Sequence, residues 1–173
     1  VAVPEANCSK SWDSTLTKVS PVGNPITYDY SFDWGWELIC AGFVPKQVDL
    51  EYSSVGSYGT ARINSSDEAS FTGTITGLLP VDTHFVYNGT YIREGNQESV
   101  VRNKNSFSST LTFSTTNLKY NKTAEMVDSG TTSFKLEGEV VDGRSFNYQG
   151  TIVYLGNGSA TITINGNSYT VQL

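Results

Sequence analysis

Residues 26–40 read ITYDYSFDWGWELIC, and this stretch decides the fold class. Apolar and aromatic residues alternate in it, one by one up to residue 38, with polar or small residues. A period of two places every second side chain on the same face of a β-strand, so the stretch predicts a strand with one apolar and one polar face. Its extended length of about 50 Å predicts a bulge or bend at Gly35. The even-numbered side chains from Ile26 to Leu38 are expected to be buried, and Asp29, Asp33 and Glu37 to be exposed.

Shorter stretches with the same alternation follow at regular intervals, at residues 48–52, 71–75, 85–91 and 107–113. Turn-forming residues separate them, which is typical of a sandwich or a barrel. From residue 134 onward, turn signals at residues 142–143, 156–158 and 165–167 divide the chain into four more strands, predicted to form an antiparallel meander. A one-faced sheet of that size cannot cover its own apolar side. It must therefore pack on the first part of the chain, on another chain, or on both.

The 173 residues suffice for one domain or two small ones. Residues 1–24 are expected to form an extended N-terminal arm with one short strand around residues 16–19. Residues 25–116 form the predicted sandwich. Residues 117–173 form the predicted meander, packed on the sandwich or on a neighbouring subunit. The pattern is weakest at residues 117–128, where residues 122–127 are compatible with a helical turn.

The composition excludes several classes of protein. Ser, Thr and Asn make up nearly a third of the chain, and 12% of the residues are aromatic, which favours strands and turns over helices. A net charge of −6 repels a nucleic-acid backbone, so no nucleic-acid partner is expected. No apolar run approaches the roughly 18 residues that a membrane span requires, so no membrane insertion is expected.

The segment FTGTITGLLP at residues 71–80, followed by Thr83, Phe85 and Tyr87, resembles the corner between strands E and F of fibronectin type III domains. Residues 107–115 resemble the closing strand of that family, and Trp34 or Trp36 matches its strand-B tryptophan. The resemblance covers residues 25–116. It implies an immunoglobulin-like or fibronectin type III-like antiparallel β-sandwich, extended here by the C-terminal meander. The family is a scaffold without catalytic residues, so the resemblance implies a surface or adhesive module and transfers no active site.

The resemblance is incomplete at the corner itself. The turn carries one extra residue, at Val81-Asp82, and Phe85 stands where the family has its corner tyrosine. Tyr87 is the alternative donor of the corner hydrogen bond.

The two cysteines, Cys8 and Cys40, are expected to form a disulfide that contributes about 3 kcal/mol. The alternative is a pair of buried thiols. A disulfide indicates a secreted or cell-surface protein. Five Asn-x-Ser/Thr sequons permit N-glycosylation in that environment. They begin at Asn7, Asn64, Asn88, Asn121 and Asn157.

The sequence offers little for catalysis or metal binding. His84, the single histidine, has Asp82 and Thr83 beside it, but we interpret it as a plain surface residue. Asp29, Asp33 and Glu37 are spaced about 13 Å apart along their strand, too far to share one calcium ion. No nucleophile–base pair, metal-ligand motif or phosphate loop occurs, so no enzyme activity, metal or cofactor is expected.

The sequence therefore favours a non-catalytic structural protein of the cell surface, such as a subunit of a filament, a pilus or an adhesive layer. Its expected partners are copies of itself, joined by strand pairing, with a donated strand, into a head-to-tail polymer. The alternative is a secreted carbohydrate-binding, lectin-like module that binds surface glycans. In that case Tyr52, Tyr58, Tyr148 and Tyr154 would stack on sugar rings if their side chains are exposed.

Overall fold

The computed structural model describes Cys8, residues 10–101 and residues 105–173. The sequon at Asn7 lies outside these residues. Ten β-strands account for most of the described chain, and they follow one another through short turns. They are β1 (Ser11–Val19), β2 (Thr27–Ala41), β3 (Val44–Gly59), β4 (Ile63–Thr76), β5 (His84–Ser99), β6 (Ser106–Asn121), β7 (Met126–Val140), β8 (Ser145–Gly156), β9 (Ser159–Ile164) and β10 (Asn167–Gln172).

All ten strands belong to one sheet, in which each strand pairs only with its neighbours in sequence and every pairing is antiparallel. The prediction of an all-β, antiparallel protein is confirmed, and β7 to β10 pair in sequence order as part of the same sheet. A sandwich is not confirmed, because the described strands form no second sheet that faces the first. A single sheet is also too general a feature to test the fibronectin type III resemblance.

Strand β2 keeps the predicted alternation, but it is not broken at Gly35. Trp34, Gly35 and Trp36 pair in continuous register with Tyr52, Glu51 and Leu50 of β3. The predicted bulge is therefore wrong in position, because β2 has a paired strand on each side that supports its full 15 residues. The register shifts instead between Ile39 and Cys40, close to the end of the strand.

The turns form where the sequence predicts them. Asn157 and Gly158 join β8 to β9 with φ values of 52° and 68°, and Asn165 and Gly166 join β9 to β10 with φ values of 45° and 86°. Positive φ at both loop residues is the type I′ hairpin that Asn-Gly favours. Residues 122–125, within the stretch compatible with a helical turn, form the turn between β6 and β7.

The sheet shows no break at the predicted domain boundaries. Strand β1 lies within the predicted arm and is longer than the short strand expected there, and it pairs along its whole length with β2. Strand β6 runs through the boundary at residues 116 and 117. The division into arm, sandwich and meander stays a prediction.

The part of the chain that the structure describes has almost no buried core. Its buried hydrophobic residues are Ala69 and Ala160, and no large side chain is fully buried. The expectation that the even-numbered residues from Ile26 to Leu38 are buried is wrong: most are half-buried, and Ile26 and Trp36 are 50% and 37% exposed. The physical reason is that the described strands provide no second layer to cover their face. Asp29, Asp33 and Glu37 are exposed, as expected.

Candidate functional site

The predicted disulfide is confirmed. Cys8 and Cys40 are bonded, with their Cα atoms 5.8 Å apart. The pairing of β1 with β2 joins Ser11 to Glu37, and the same register extended by three residues joins Cys8 to Cys40. The bridge therefore fastens β1 to β2 in the geometry that the strands already have, and it indicates a non-reducing environment for the protein.

The sequons of the described chain differ in how free their side chains are. Asn157 is exposed at the tip of the β8–β9 hairpin, and Asn64 is exposed at the start of β4. Asn88 is half-buried, and its side-chain oxygen accepts a hydrogen bond of 2.8 Å from the backbone N–H of Asn117. Glycosylation at any of them stays a prediction.

Asn121 is the sequon whose side chain is most engaged. Its oxygen accepts hydrogen bonds of 3.0 Å from the backbone N–H groups of Thr123 and Ala124. Its Nδ2, the atom that would carry a glycan, donates a hydrogen bond of 3.0 Å to Asp128. A glycan at Asn121 would have to replace that bond.

The two faces of the sheet differ sharply, because the register holds the alternation of every strand in phase. We call one the apolar face. It carries most of the aromatic and aliphatic side chains of the strands, and a continuous row crosses its middle. The row runs Leu16, Phe32, Trp34, Tyr52, Phe71, Tyr91, Phe113, Phe134, Tyr148, Ile152, Ile162 and Tyr169.

Three rings on the apolar face lie directly over a glycine of the neighbouring strand. A Cβ atom at Gly56 would overlap the ring of Tyr30, one at Gly138 would overlap Phe146, and one at Gly150 would lie 2.6 Å from the Phe134 ring. Rings also contact one another, as in the stacked pair of Phe71 and Tyr87 with centroids 6.2 Å apart. The rings are therefore half-covered by each other, since the described strands form no second layer above them.

The environment of the apolar face raises the pKa of several tyrosine hydroxyls on it. Burial raises the pKa of Tyr30, Tyr87 and Tyr91 above the usual value. For Tyr30, a hydrogen bond of 3.1 Å from its hydroxyl to Asp67 raises the pKa further. These hydroxyls stay protonated well above neutral pH, so the face stays uncharged at these positions.

Two charged side chains lie within the apolar face and neutralise each other. Arg93 contacts both carboxylate oxygens of Asp67, with Nη2 and Nε each 3.3 Å away. The Asp67 side chain is only 11% exposed. Sequence reasoning missed this pair. The signal was available, since Asp67 and Arg93 stand at the same alternating positions as Phe71 and Tyr91.

We call the opposite side the polar face. Its side chains are mostly Ser, Thr and Asn, and its charged groups are predominantly acidic. Lys119 and Lys135 are its basic residues, against eleven carboxylates. These are Asp13, Asp29, Asp33, Glu37, Asp49, Glu51, Glu68, Glu94, Glu98, Glu137 and Glu139.

The outer strands β1 and β10 leave backbone groups unpaired within the described chain. Leu38 N–H donates to Lys10 and Ser20 N–H donates to Tyr28, so the even-numbered residues of β1 exchange hydrogen bonds with β2. Because antiparallel ladders alternate, the N–H groups of residues 11, 13, 15, 17 and 19 point away from the sheet. In β10, the Leu173 N–H donates to the Gly158 carbonyl. By the same argument, the N–H groups of residues 168, 170 and 172 point away from the sheet.

His84 is not the plain surface residue that we expected, because it belongs to a cluster at one end of the sheet. Its Nε2 lies 2.7 Å from Asp128, and Thr83 Oγ1 lies 2.8 Å from its Nδ1. The hydrogen bond from Asn121, and then that with His84, lowers the pKa of the Asp128 carboxyl. These contacts join the start of β5 to the end of β6 and the start of β7.

Asp82, the carboxylate beside His84 in sequence, lies in a different interaction. It accepts a hydrogen bond of 2.9 Å from the backbone N–H of Leu79 and so closes the turn between β4 and β5. Lys122 donates to the Leu79 carbonyl at 2.9 Å and lies over the Phe85 ring, 4.4 Å from its centroid. Of the two neighbours in sequence, Thr83 therefore contacts His84, whereas the carboxylate beside its ring belongs to Asp128 rather than Asp82.

The four tyrosines considered for sugar stacking all lie on the apolar face. Tyr148 is 50% exposed, whereas Tyr52, Tyr58 and Tyr154 are half-buried. Trp12 and Trp36, directly opposite each other on β1 and β2, are 47% and 37% exposed. Together with Tyr148 and with Tyr169, which is 57% exposed, these rings are the more accessible aromatic surfaces of that face.

In residues 10–101 and 105–173, no group of three or more His, Cys, Asp or Glu side chains is arranged to hold a metal ion. The same residues contain no helix long and apolar enough to cross a lipid bilayer. A scan against models of protein families finds no match for the chain, and searches of curated proteins and of solved structures find no significant match either.

Proposed function

We propose that the chain is a non-catalytic structural protein of the cell surface, a subunit of a filament or adhesive layer that polymerises head to tail by strand pairing. In this proposal, β1 of one copy pairs with β10 of the next. The observation that carries the proposal is the strand count. Ten antiparallel strands make β1 and β10 run in opposite directions. A second copy placed beside the first in the same orientation therefore continues the antiparallel alternation without a break.

Strand β10 is also chemically suited to pairing, whereas β1 carries two charged residues, Asp13 and Lys18. Natural sheets protect a free edge with proline, charged residues, bulges or a covering loop. Strand β10 reads NSYTVQ, which contains no proline and no charge. On the apolar face, Trp12 and Leu16 of β1 and Tyr169 of β10 are 47%, 40% and 57% exposed. An added strand would cover these side chains and continue the apolar face from copy to copy.

The disulfide supports an extracellular location, since such bridges persist in oxidising environments. The four sequons of the described chain fit the same location. The donated element in this proposal is an edge of the folded sheet rather than a free N-terminal arm, because β1 already pairs with β2.

Edge pairing is tested with two proline variants. Thr17→Pro removes an outward N–H of β1, and Thr170→Pro removes one of β10, while neither hydrogen bond to the neighbouring strand is lost. Each variant alone should fail to elongate, because each lacks one competent edge. In an equal mixture, the intact β10 of Thr17→Pro can pair with the intact β1 of Thr170→Pro. The particle mass measured by sedimentation should therefore at least double.

The matched controls are Thr17→Ala and Thr170→Ala, which keep the N–H groups and should polymerise like the parent. Circular dichroism checks that the proline variants keep their sheet. Continued growth of either proline variant, or a mixture no heavier than its components, contradicts the proposal.

A carbohydrate-binding module is the second candidate, and the exposure of Trp12, Trp36 and Tyr148 is the observation that favours it. Planar rings of this kind stack on sugars. Binding of the single-chain species to a glycan array, lost in Trp36→Ala, would support this candidate, whereas a polymer without glycan binding supports the structural one.

A further inference from the structure

The apolar face has no covering layer among the described strands. Each strand makes its substantial contacts with the strands next to it in sequence, and all of these contacts lie within the sheet. Two faces of a sheet that differ so strongly are typical of a sheet that packs its apolar side against something else. The question is what covers it.

The accessible surface of the chain indicates that the apolar face is covered by a partner about as large as the sheet itself. The chain exposes 11051 Å². A compact monomer of 18.8 kDa exposes about 8,300 Å², so this chain exposes roughly 2,700 Å² more than its mass requires. Independently, ten strands spaced about 4.8 Å apart, with an average length near 40 Å, give the apolar face an area of about 2,000 Å².

These areas match those of stable self-association. Covering about 2,000 Å² on each of two chains buries about 4,000 Å² in total, which is within the range of obligate homodimers. A short peptide or a single added helix would leave much of the face open. A second sheet of the same dimensions covers it completely.

The charges on the face also fit a second copy. Asp67 and Arg93 neutralise each other, and Lys18 lies at the outer strand β1, so two copies can approach without like charges meeting in the middle. The eleven carboxylates of the polar face exclude the opposite orientation, in which two polar faces would meet. An anionic lipid surface is disfavoured by the same acidic balance, since the chain carries a net charge of −6.

We propose that the apolar face of one chain packs on the apolar face of a second copy, so that a two-layered β-sandwich forms between two chains. The rings over Gly56, Gly138 and Gly150 fill the space that these glycines leave, so each layer presents aromatic side chains there for such packing. Sheets packed in this way lie about 10 Å apart. This interface is separate from the pairing of edges, so each can form without the other.

The test uses the Thr17→Pro variant, in which growth along the edge is blocked. All three tryptophans of the chain, Trp12, Trp34 and Trp36, lie on the apolar face, so tryptophan fluorescence reports on this face alone. Sedimentation should give a particle of two chains, with emission typical of buried indole. Dilution should halve the particle mass and shift the emission to longer wavelength together.

A substitution on the apolar face provides a second test. Tyr148→Glu places a carboxylate on the apolar face and should give a single chain at concentrations where the parent is paired. Gln149→Glu is the matched control, because it adds the same charge to the next residue of β8 on the polar face, and it should stay paired. The dilution measurement needs no change in the face, so it decides the question even if Tyr148→Glu does not fold.

A single chain at every concentration, with the emission of exposed tryptophan, overturns the proposal. Binding of that single chain to phosphatidylcholine vesicles would assign the face to a lipid surface and overturns it as well. Neither result bears on edge pairing, because mixing Thr17→Pro with Thr170→Pro raises the particle mass whether or not the faces pair.

Discussion

Individual glycines shape the apolar face, because each leaves room for a ring from the neighbouring strand. At Gly56, the ring of Tyr30 occupies the space that a Cβ atom would take, and its hydroxyl reaches Asp67. Glycine costs a strand conformational entropy and packing. The ring that lies over it supplies the missing contacts and anchors β2 to β4 across β3.

Gly56→Ala should therefore destabilise the sheet by about 1–3 kcal/mol, the usual cost of overfilling a packed site. Gly95→Ala is the control on the same face, since its Cβ would meet Asp67 at 3.3 Å and the neighbour needs to move only slightly. Urea unfolding of both variants in the Thr17→Pro background measures the difference. Equal losses would show that the Tyr30 ring is not held over Gly56.

Asp128 gives the fold a dependence on acid pH. Its pKa is lowered in the folded state by Asn121 and His84, so its stabilising contribution is complete above the unfolded pKa of about 3.9. The contribution is lost as the pH falls through the lower folded pKa. Asp128→Asn should reduce the free energy of unfolding at neutral pH, and its difference from the parent should shrink below about pH 4.

Urea titrations across that pH range provide the measurement. Asp29→Asn, on the exposed polar face, is the control and should change stability little at any pH. A pH-independent difference for Asp128→Asn would mean that the carboxylate does not take part in the linkage.

At the level of elements, the alternation in residues 26–40 was enough to predict β2, and the Asn-Gly pairs were enough to predict the last two hairpins. Both are local properties, since period and turn chemistry act over a few residues. The number of layers is not local. It depends on which apolar surfaces meet, and the same alternation suits a sandwich within one chain or a sheet that is covered from outside.

The same distinction between local and non-local properties applies to the site residues. Cys8 and Cys40 could be paired from the sequence because the chain offers no other cysteine. The partnership of His84 with Asp128 could not, because the two are 44 residues apart and meet only through the register of β5, β6 and β7.

The disulfide should act on one element in particular. It closes the end of the β1–β2 ladder, and β1 has no other paired neighbour in the described chain. Replacing both cysteines by serine should cost about 3 kcal/mol. Hydrogen exchange should accelerate first at the inward amides of β1, such as Trp12 and Leu16, while β5 and β6 keep their protection. Uniform acceleration across the sheet would show that the bridge stabilises the fold as a whole.

At the scale of the whole molecule, edge pairing fixes the dimensions of the assembly. If each copy adds its ten strands to a continuous sheet, the strands lie across the fibre and each copy occupies about 48 Å of its length, at about 4.8 Å per strand. Fibre diffraction should show the strand spacing of about 4.8 Å along the fibre axis, and electron microscopy should show a subunit repeat near 48 Å, shortened slightly by sheet twist. A reflection near 10 Å across the axis should accompany it where apolar faces also pair.

The Thr17→Pro variant, prepared identically, should show neither the axial reflection nor the repeat. Fibres whose repeat bears no relation to ten strands would mean that the copies join through some other surface, and that β1 and β10 remain edges in the assembled state.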